Sequence, residues 1–446
     1  MLETILITFF VFAYAALAWR RFNIALSLLF LLLPAYLIRF EIGPLPTTLL
    51  EAMIWVIILV WLVKNWRQLP HSIFAWLLSR QNRSLVIAVA LFLLGATLAV
   101  FTSAHTRAAL GEWKAFYIEP VLLFLVLTTV FIKKGSSGDS QERLASNPPD
   151  LILLSLIAGA LATSALAIYQ HYTGWLVPHA FWANRNTYRV TAWYGFPNAV
   201  GLFLAPVMPL SAYLVRQSWT RLKKESAGAR FKHWAALATS LIFIPASLLA
   251  ILFARSTGGL VGITAGAGVL LLICRKTRYW AAALGVIGLI GIILTPGINP
   301  IKQELLMQDR SGKLRLDMWA ETSSFLMERP LAGAGLASYS TLIYPYRIDK
   351  WIEVFHHPHN IFLTMWVNIG LIGLAGFVWI VVWFYRVGFG GLKAGKTNLL
   401  PFVISAMTVW LTTGLVDSPY IKNDLSVLFW LLPALLVYAG QKNSGG

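Results

Sequence analysis

Apolar residues fall in long runs along the whole chain, at roughly 2–19, 23–38, 46–63, 84–103, 115–132, 151–170, 192–215, 235–253, 258–274, 280–297, 361–385, 399–417 and 425–440. Runs of this length, poor in charge, match the thickness of a bilayer when coiled as α-helix, at about 1.5 Å of rise per residue. The pattern predicts an all-α polytopic membrane protein with about 12–13 transmembrane helices. Trp and Tyr often flank the runs, as interfacial anchors do. The first run has neither a basic leader nor a small-residue cleavage site, so it reads as a retained helix.

Composition agrees with this pattern. The chain is 58% hydrophobic and 12% charged, with a mean hydropathy of +0.69, which excludes a soluble domain hung on a single anchor. Cys274 is the only cysteine, so an intramolecular disulfide and thiolate metal clusters are excluded. The net charge is +18, but the basic residues lie mainly in short loops between apolar runs. That placement points to topogenic charge and anionic membrane lipids as partners, not to nucleic acid.

Alternate loops differ in basic content. Arg20 and Arg21, Lys64 to Arg83, Lys133 to Arg143, Arg216 to Lys232, Arg275 to Arg278 and Arg386 to Lys396 form a rich set. Arg39, Arg107 and Lys114, Arg185 and Arg189, Arg255 and Lys422 form a sparse one. The positive-inside rule makes the rich set, and the C-terminal Lys442, cytoplasmic. The chain then divides into N-terminal helices (1–150), central helices (151–297) with an outer loop at 171–191, a long outer loop (298–360) and C-terminal helices (361–446). Loops as long as 298–360 are usually functional. Within it, the apolar spacing of Asp317–Met327 predicts a short helix stopped by Pro330. Leu331-Ala332-Gly333-Ala334-Gly335 reads as a flexible turn, and the whole as a lid over the bundle. The stretch 133–150 reads as a flexible linker. No internal repeat is visible, which leaves an inverted-repeat transporter without support.

Candidate chemistry gathers on the predicted outer face. His356-His357-Pro358-His359-Asn360 stands where an apolar run begins, with Asn360 placed to cap the helix. Imidazoles there could accept a proton or sit inertly at the interface. A metal site is not expected, because the histidine spacing does not put three ligands on one helical face. Arg189, Arg255, Arg310 and Arg315 share the same side, the last two in the segment opening the lid helix. Arg suits phosphate oxygens through its planar fork, although each could equally snorkel to lipid head groups. Glu119 lies within an apolar run and is either functional or paired with Lys114, at an imperfect spacing of five, or with another buried Arg. Asp417 could cap its helix or pair with Lys422. Tyr339, Tyr344, Tyr346 and Trp351 could stack on sugars or form an aromatic belt.

Several of these segments, in this order, resemble the O-antigen ligase and polymerase family of bacterial membrane glycosyltransferases. His359-Asn360, nine residues, then Gly370-x-x-Gly373 is similar to the family's ligase signature. Arg315-x-x-x-Trp319, followed by Pro330-Leu331-Ala332-Gly333-Ala334-Gly335, is similar to its lid motif. Arg189 before Gly195-Phe196-Pro197-Asn198, and the turn at Arg255–Gly259, fit as well. The resemblance covers about residues 185–375.

The resemblance implies an inner-membrane enzyme that moves a glycan from undecaprenyl diphosphate to an acceptor hydroxyl at the periplasmic face, without cofactor, nucleotide sugar or metal. The acceptor would be lipid A–core. A polymerase or a protein O-oligosaccharyltransferase of the same family is the alternative, and a transporter the reading from another class. His359 would act as base or organiser at the acceptor hydroxyl. Arg189 and Arg315 would hold the diphosphate, with Arg310 as a second clamp; from the residues themselves, apart from the resemblance, Arg255, Asn360, His356 and Glu119 stand as secondary candidates. Direct attack would invert the anomeric carbon, with no covalent enzyme intermediate.

Overall fold

The computed structural model describes residues 2–43, 45–67, 79, 82–136, 148–184, 186–224, 227–294, 302–303, 306–395 and 397–441. Most of the expected linker, the basic residues at 80, 143, 185, 396 and 442, and the start of the long outer loop lie outside the described residues.

The fold is all-α and polytopic. Among the described residues, eight helices are long and apolar enough to cross a membrane. Three shorter apolar helices, Phe22–Leu31, Thr257–Ile273 and Leu400–Gly414, accompany them, and the 17-residue helices Leu49–Asn65 and Arg278–Leu294 complete the set. Every expected run therefore contains a helix, though several are shorter than the run. The second shows why. Its helix stops at Leu31, and a 3-10 turn with Pro34 in its first turn takes over through Leu37, because proline offers no amide to continue the ladder. The chain then forms an antiparallel hairpin, Arg39–Ile42 with Leu45–Thr48, in the register Arg39↔Thr48 and Phe40↔Thr47. Hydropathy gave no sign of it.

Close helix packing rests on small residues. Ile361–Lys393 lies along Arg83–Phe101, and Thr257–Ile273 along Leu400–Gly414. A Cβ added at Gly95 would stand 2.4 Å from the Gly373 backbone, so bare glycine lets the two main chains touch. In the second pair, Ser405 Oγ donates to the Gly266 carbonyl at 2.8 Å. Hydrogen bonds across small-residue contacts suit a lipid solvent, where apolar burial adds little between helices.

The long segment before Ile361 folds into a helix, Arg310–Glu328, capped by Asp309 through the amides of Ser311 and Gly312. Two short turns follow it, Tyr339–Leu342 and Tyr344–Tyr346. Phe325, Leu326, Tyr339, Ile343 and Val367 form a small core of their own beneath this lid. The expected flexible turn at Leu331–Gly335 is instead clamped. Ala334 N donates to Val367 O at 2.7 Å, Leu371 N to Leu331 O at 3.0 Å, and Trp366 Nε1 to Pro330 O at 2.7 Å.

The partner of this clamp is a break in the long helix Ile361–Lys393. At Gly370 the backbone takes φ 66°, ψ −178°, a region open essentially to glycine alone. A Cβ there would lie 2.4 Å from the Leu331 carbonyl. The first glycine of Gly370-x-x-Gly373 thus docks the lid, and the second meets Gly95. Gly370→Ala should lower stability by about 1–3 kcal/mol from backbone strain alone, before the clash is counted. Thermal unfolding in detergent tests this; an unchanged midpoint would show that the break does not need glycine.

Candidate functional site

Five segments converge at the lid end of the bundle: the loop before Asn198–Leu222, the turn at 254–256, the lid helix, the histidine stretch, and the connection 415–422. His359 stands at their junction. Asn360 caps the helix beginning at Ile361, accepting from the amides of Phe362 and Leu363 at 3.0 and 3.1 Å, as its position in the sequence implies. His359 itself sits at φ 47°, a left-handed conformation that costs a non-glycine residue of order 1–3 kcal/mol. The bend aims its ring at the 415–422 connection, where Nδ1 lies 3.0 Å from Asp417 Oδ1.

Asp417 is buried and fully engaged. Oδ1 also accepts from the Ser418 amide at 2.8 Å, and Oδ2 from Asn198 Nδ2 at 3.1 Å. Burial alone would raise its pKa. The charge and hydrogen bond of His359, with the neighbouring His357 and the Ser418 amide, outweigh that and hold the carboxyl below the usual range, so it stays ionised. A carboxylate at Nδ1 keeps the proton on that nitrogen and leaves Nε2 as the acceptor. The expected pairing of Asp417 with Lys422 is therefore replaced by pairing with His359.

Asn198 links this pair to Arg189. Its Oδ1 accepts from Arg189 Nη2 at 3.2 Å, while Nη2 and Nε also donate to the carbonyls of Arg255 and Ala254, both at 2.8 Å. Between those two carbonyls the backbone turns through Arg255 at φ 49°. Arg255 thus meets Arg189 through its main chain, its own side chain being exposed. The loop bearing Arg189 is pinned from below by buried Gln170. Its amide bonds Leu176 O and Ala192 O and accepts from the amides of Thr191 and Ala192.

The lid helix reaches the site through one face. Arg315 and Trp319 are one turn apart. Arg315 Nε donates to Val416 O at 2.8 Å, and Trp319 Nε1 to Pro358 O at 2.9 Å. The Arg-x-x-x-Trp spacing therefore ties the lid to the residues immediately before Asp417 and His359. Arg310, the first residue of the helix, is exposed, as is His356; neither is brought into the cluster.

Glu119 keeps different company. Trp55 Nε1 donates to its Oε1 at 2.7 Å, and Lys114 Nζ lies 4.0 Å away while pairing with Glu51 at 2.6 Å. Asn423 closes the group by donating to Glu51 at 2.8 Å. The chain is π-helical from Trp113 to Ile118, and its i to i+5 bonding turns the awkward spacing of Lys114 and Glu119 into one turn. Of the aromatic candidates, Tyr339 is taken up by the lid core through Thr322 at 2.8 Å, whereas Tyr344 and Trp351 are exposed.

Three residues were not foreseen at the site: Asn198, Asp417 as a histidine partner, and His357. The last packs edge to face on His359 with ring centroids 4.7 Å apart. Burial pushes its pKa down to about 3, so it is neutral. Donor atoms of His357, His359 and Asp417 all lie within 4.8 Å of one another. The histidine spacing gave no hint of this set, because its carboxylate comes from 58 residues further on. These three could hold a cation, and with His359 Nδ1 as a ligand it would displace the hydrogen bond between His359 and Asp417.

Residues 240–378 match the model of a family described as O-antigen ligase, a stretch holding Arg255, Arg315 and His359 but not Arg189 or Asp417. A protein of Rickettsia conorii provisionally named polysaccharide ligase is 29% identical over 127 residues, covering 26% of this chain and 31% of that protein. A Rickettsia bellii protein with the same provisional name is 29% identical over 158 residues, covering 31% of this chain and 38% of its own length. The chain thus spans about a third of the relatives it matches. Through residues 240–378, this multi-pass membrane protein is similar to the O-antigen ligase family.

Proposed function

We propose that the protein transfers a glycan from undecaprenyl diphosphate to an acceptor hydroxyl, such as one on lipid A–core, at the periplasmic face of the bacterial inner membrane. The observation that carries this reading is the His359–Asp417 pair, 3.0 Å apart, linked through Asn198 to Arg189 and bordered by Arg315. Such a site suits a reaction that removes one proton and places negative charge on a diphosphate.

In this mechanism His359 Nε2 takes the acceptor proton as the oxygen attacks the anomeric carbon, and Asp417 stabilises the resulting imidazolium. The bond to the diphosphate breaks with its electron pair on the phosphate oxygen. Arg189 and Arg315 neutralise the charge that develops there. Direct displacement inverts the anomeric carbon, and catalysis is mainly positioning and electrostatics. Arg310 and the Arg255 side chain, exposed at the margin, would meet the donor only at its periphery.

The decisive experiment is transfer by the purified full-length chain from a defined undecaprenyl-diphosphate glycan to three acceptors: lipid A–core, a second lipid-linked repeat, and a pilin-type peptide. Product on lipid A–core supports the ligase reading; product only on the second or third acceptor reassigns the protein to polymerase or protein glycosyltransferase. Absence of product on all three, with intact protein, would overturn the proposal. Arg189→Ala and Arg315→Ala should each raise donor KM by roughly tenfold or more, on the scale of a lost charge-assisted hydrogen bond; normal donor kinetics in both would remove the clamp role. Chelator should leave the rate unchanged. Loss of activity restored by added metal would instead make His357, His359 and Asp417 a metal centre.

A further inference from the structure

Basic groups at the lid end differ in how far the protein itself engages them. Arg189 donates to two carbonyls and to Asn198, and Arg315 to Val416. Lys422 is different: among the described residues its ammonium has no hydrogen-bond or ion-pair partner. Ring faces hold it instead, with the centroids of Phe196, Tyr194 and Tyr36 at 3.9, 5.4 and 5.9 Å. A cation held by π faces gives up no N–H donor to an oxygen partner.

Its position is that of the site. Lys422 follows Asp417 by five residues, and Phe196 stands two residues before Asn198, which bridges Arg189 and Asp417. Asp417 is committed to His359, Asn198 and the Ser418 amide. Around the ammonium, Tyr36 Oη is buried without a hydrogen-bond partner, while Tyr194 and Asp424 interact with each other. Burial pushes the Lys422 pKa down to about 8, since Asp424 and Asp417 only partly offset the loss of water. The protein thus holds an under-compensated cation beside its reactive pair.

We propose that Lys422 binds an anionic oxygen of the donor diphosphate, held at the edge of the His359–Asp417 pair by Phe196, Tyr194 and Tyr36. The inference rests on the lipid-diphosphate donor proposed above. As the glycosidic bond breaks, its electron pair stays on the diphosphate, and a nearby ammonium with unused donors binds that product state more strongly than the starting one.

The test uses the full-length chain in nanodiscs, with undecaprenyl diphosphate and undecaprenol as binding probes and the glycan donor for kinetics. Lys422→Met should weaken undecaprenyl diphosphate binding at least tenfold and raise donor KM similarly, with acceptor KM within twofold. Lys422→Arg should recover most of the loss. In the unaltered protein, undecaprenyl diphosphate should slow acylation of Lys422 by an amine reagent at least fivefold and undecaprenol should not, a readout that needs no variant to fold. Equal binding by Lys422→Met and absence of diphosphate protection would overturn the inference and leave Lys422 a structural counter-charge. If the unaltered chain binds undecaprenyl diphosphate through Lys422 yet transfers no glycan, the reaction fails and the binding site stands.

Discussion

His359→Gln is expected to abolish measurable transfer, lowering the rate by roughly 10²–10⁴, while the protein folds and still binds the donor. Glutamine fills a similar volume and can hydrogen-bond Asp417, but it cannot take a proton from the acceptor. The ring it replaces is one face of a small cluster, against Phe355 and His357 at 5.2 and 4.7 Å, so its removal leaves most packing in place. Single-turnover transfer on the variant, with donor binding measured in parallel, separates chemistry from affinity. Near-normal turnover would end the case for His359 as base, and loss of donor binding with intact folding would move it to the substrate clamp.

Asp417→Asn should cost nearly as much, about 10²–10⁴ in rate, with donor KM changing far less. The carboxylate holds the proton on Nδ1 and offsets the imidazolium charge; an amide does neither, and its NH₂ favours the wrong tautomer. It also loses one acceptor for Asn198, which would loosen the hold of that side chain on Arg189. A rate within threefold of the parent would show that the 3.0 Å contact is structural. Because His357 is neutral and touches His359 only through ring packing, His357→Gln is a suitable comparison, expected to fall well short of either loss.

Much of the fold was legible in the apolar runs, because a helix in lipid must be long and uncharged and leaves that imprint on composition. The caps were legible too: Asn360 holds two amides, as its place before Ile361 implied. Failures occurred where structure depends on contacts between distant segments. Nothing local to residue 417 names a partner at 359, although Asp417 is the first carboxylate after Glu353 and interrupts an apolar stretch, which was the available signal. The hairpin at 39–48 is too short for periodicity to show. Lys114 and Glu119 seemed misplaced only because a regular α-helix was assumed. The glycine-rich turn of the lid looked flexible because glycine permits motion, yet here it permits close approach.

The contacts that assemble the site have a common character. Arg189 is held by the carbonyls of Ala254 and Arg255, Arg315 by that of Val416, Asn360 by that of Leu415, and Trp319 by that of Pro358. A carbonyl is supplied by every residue type, so the side chains at 254, 415 and 416 can drift without undoing the arrangement. Selection then acts on a handful of pointing side chains and a few glycines. Sequences assembling the same site can diverge almost everywhere else, which is the setting in which relatives share 29% identity over limited segments.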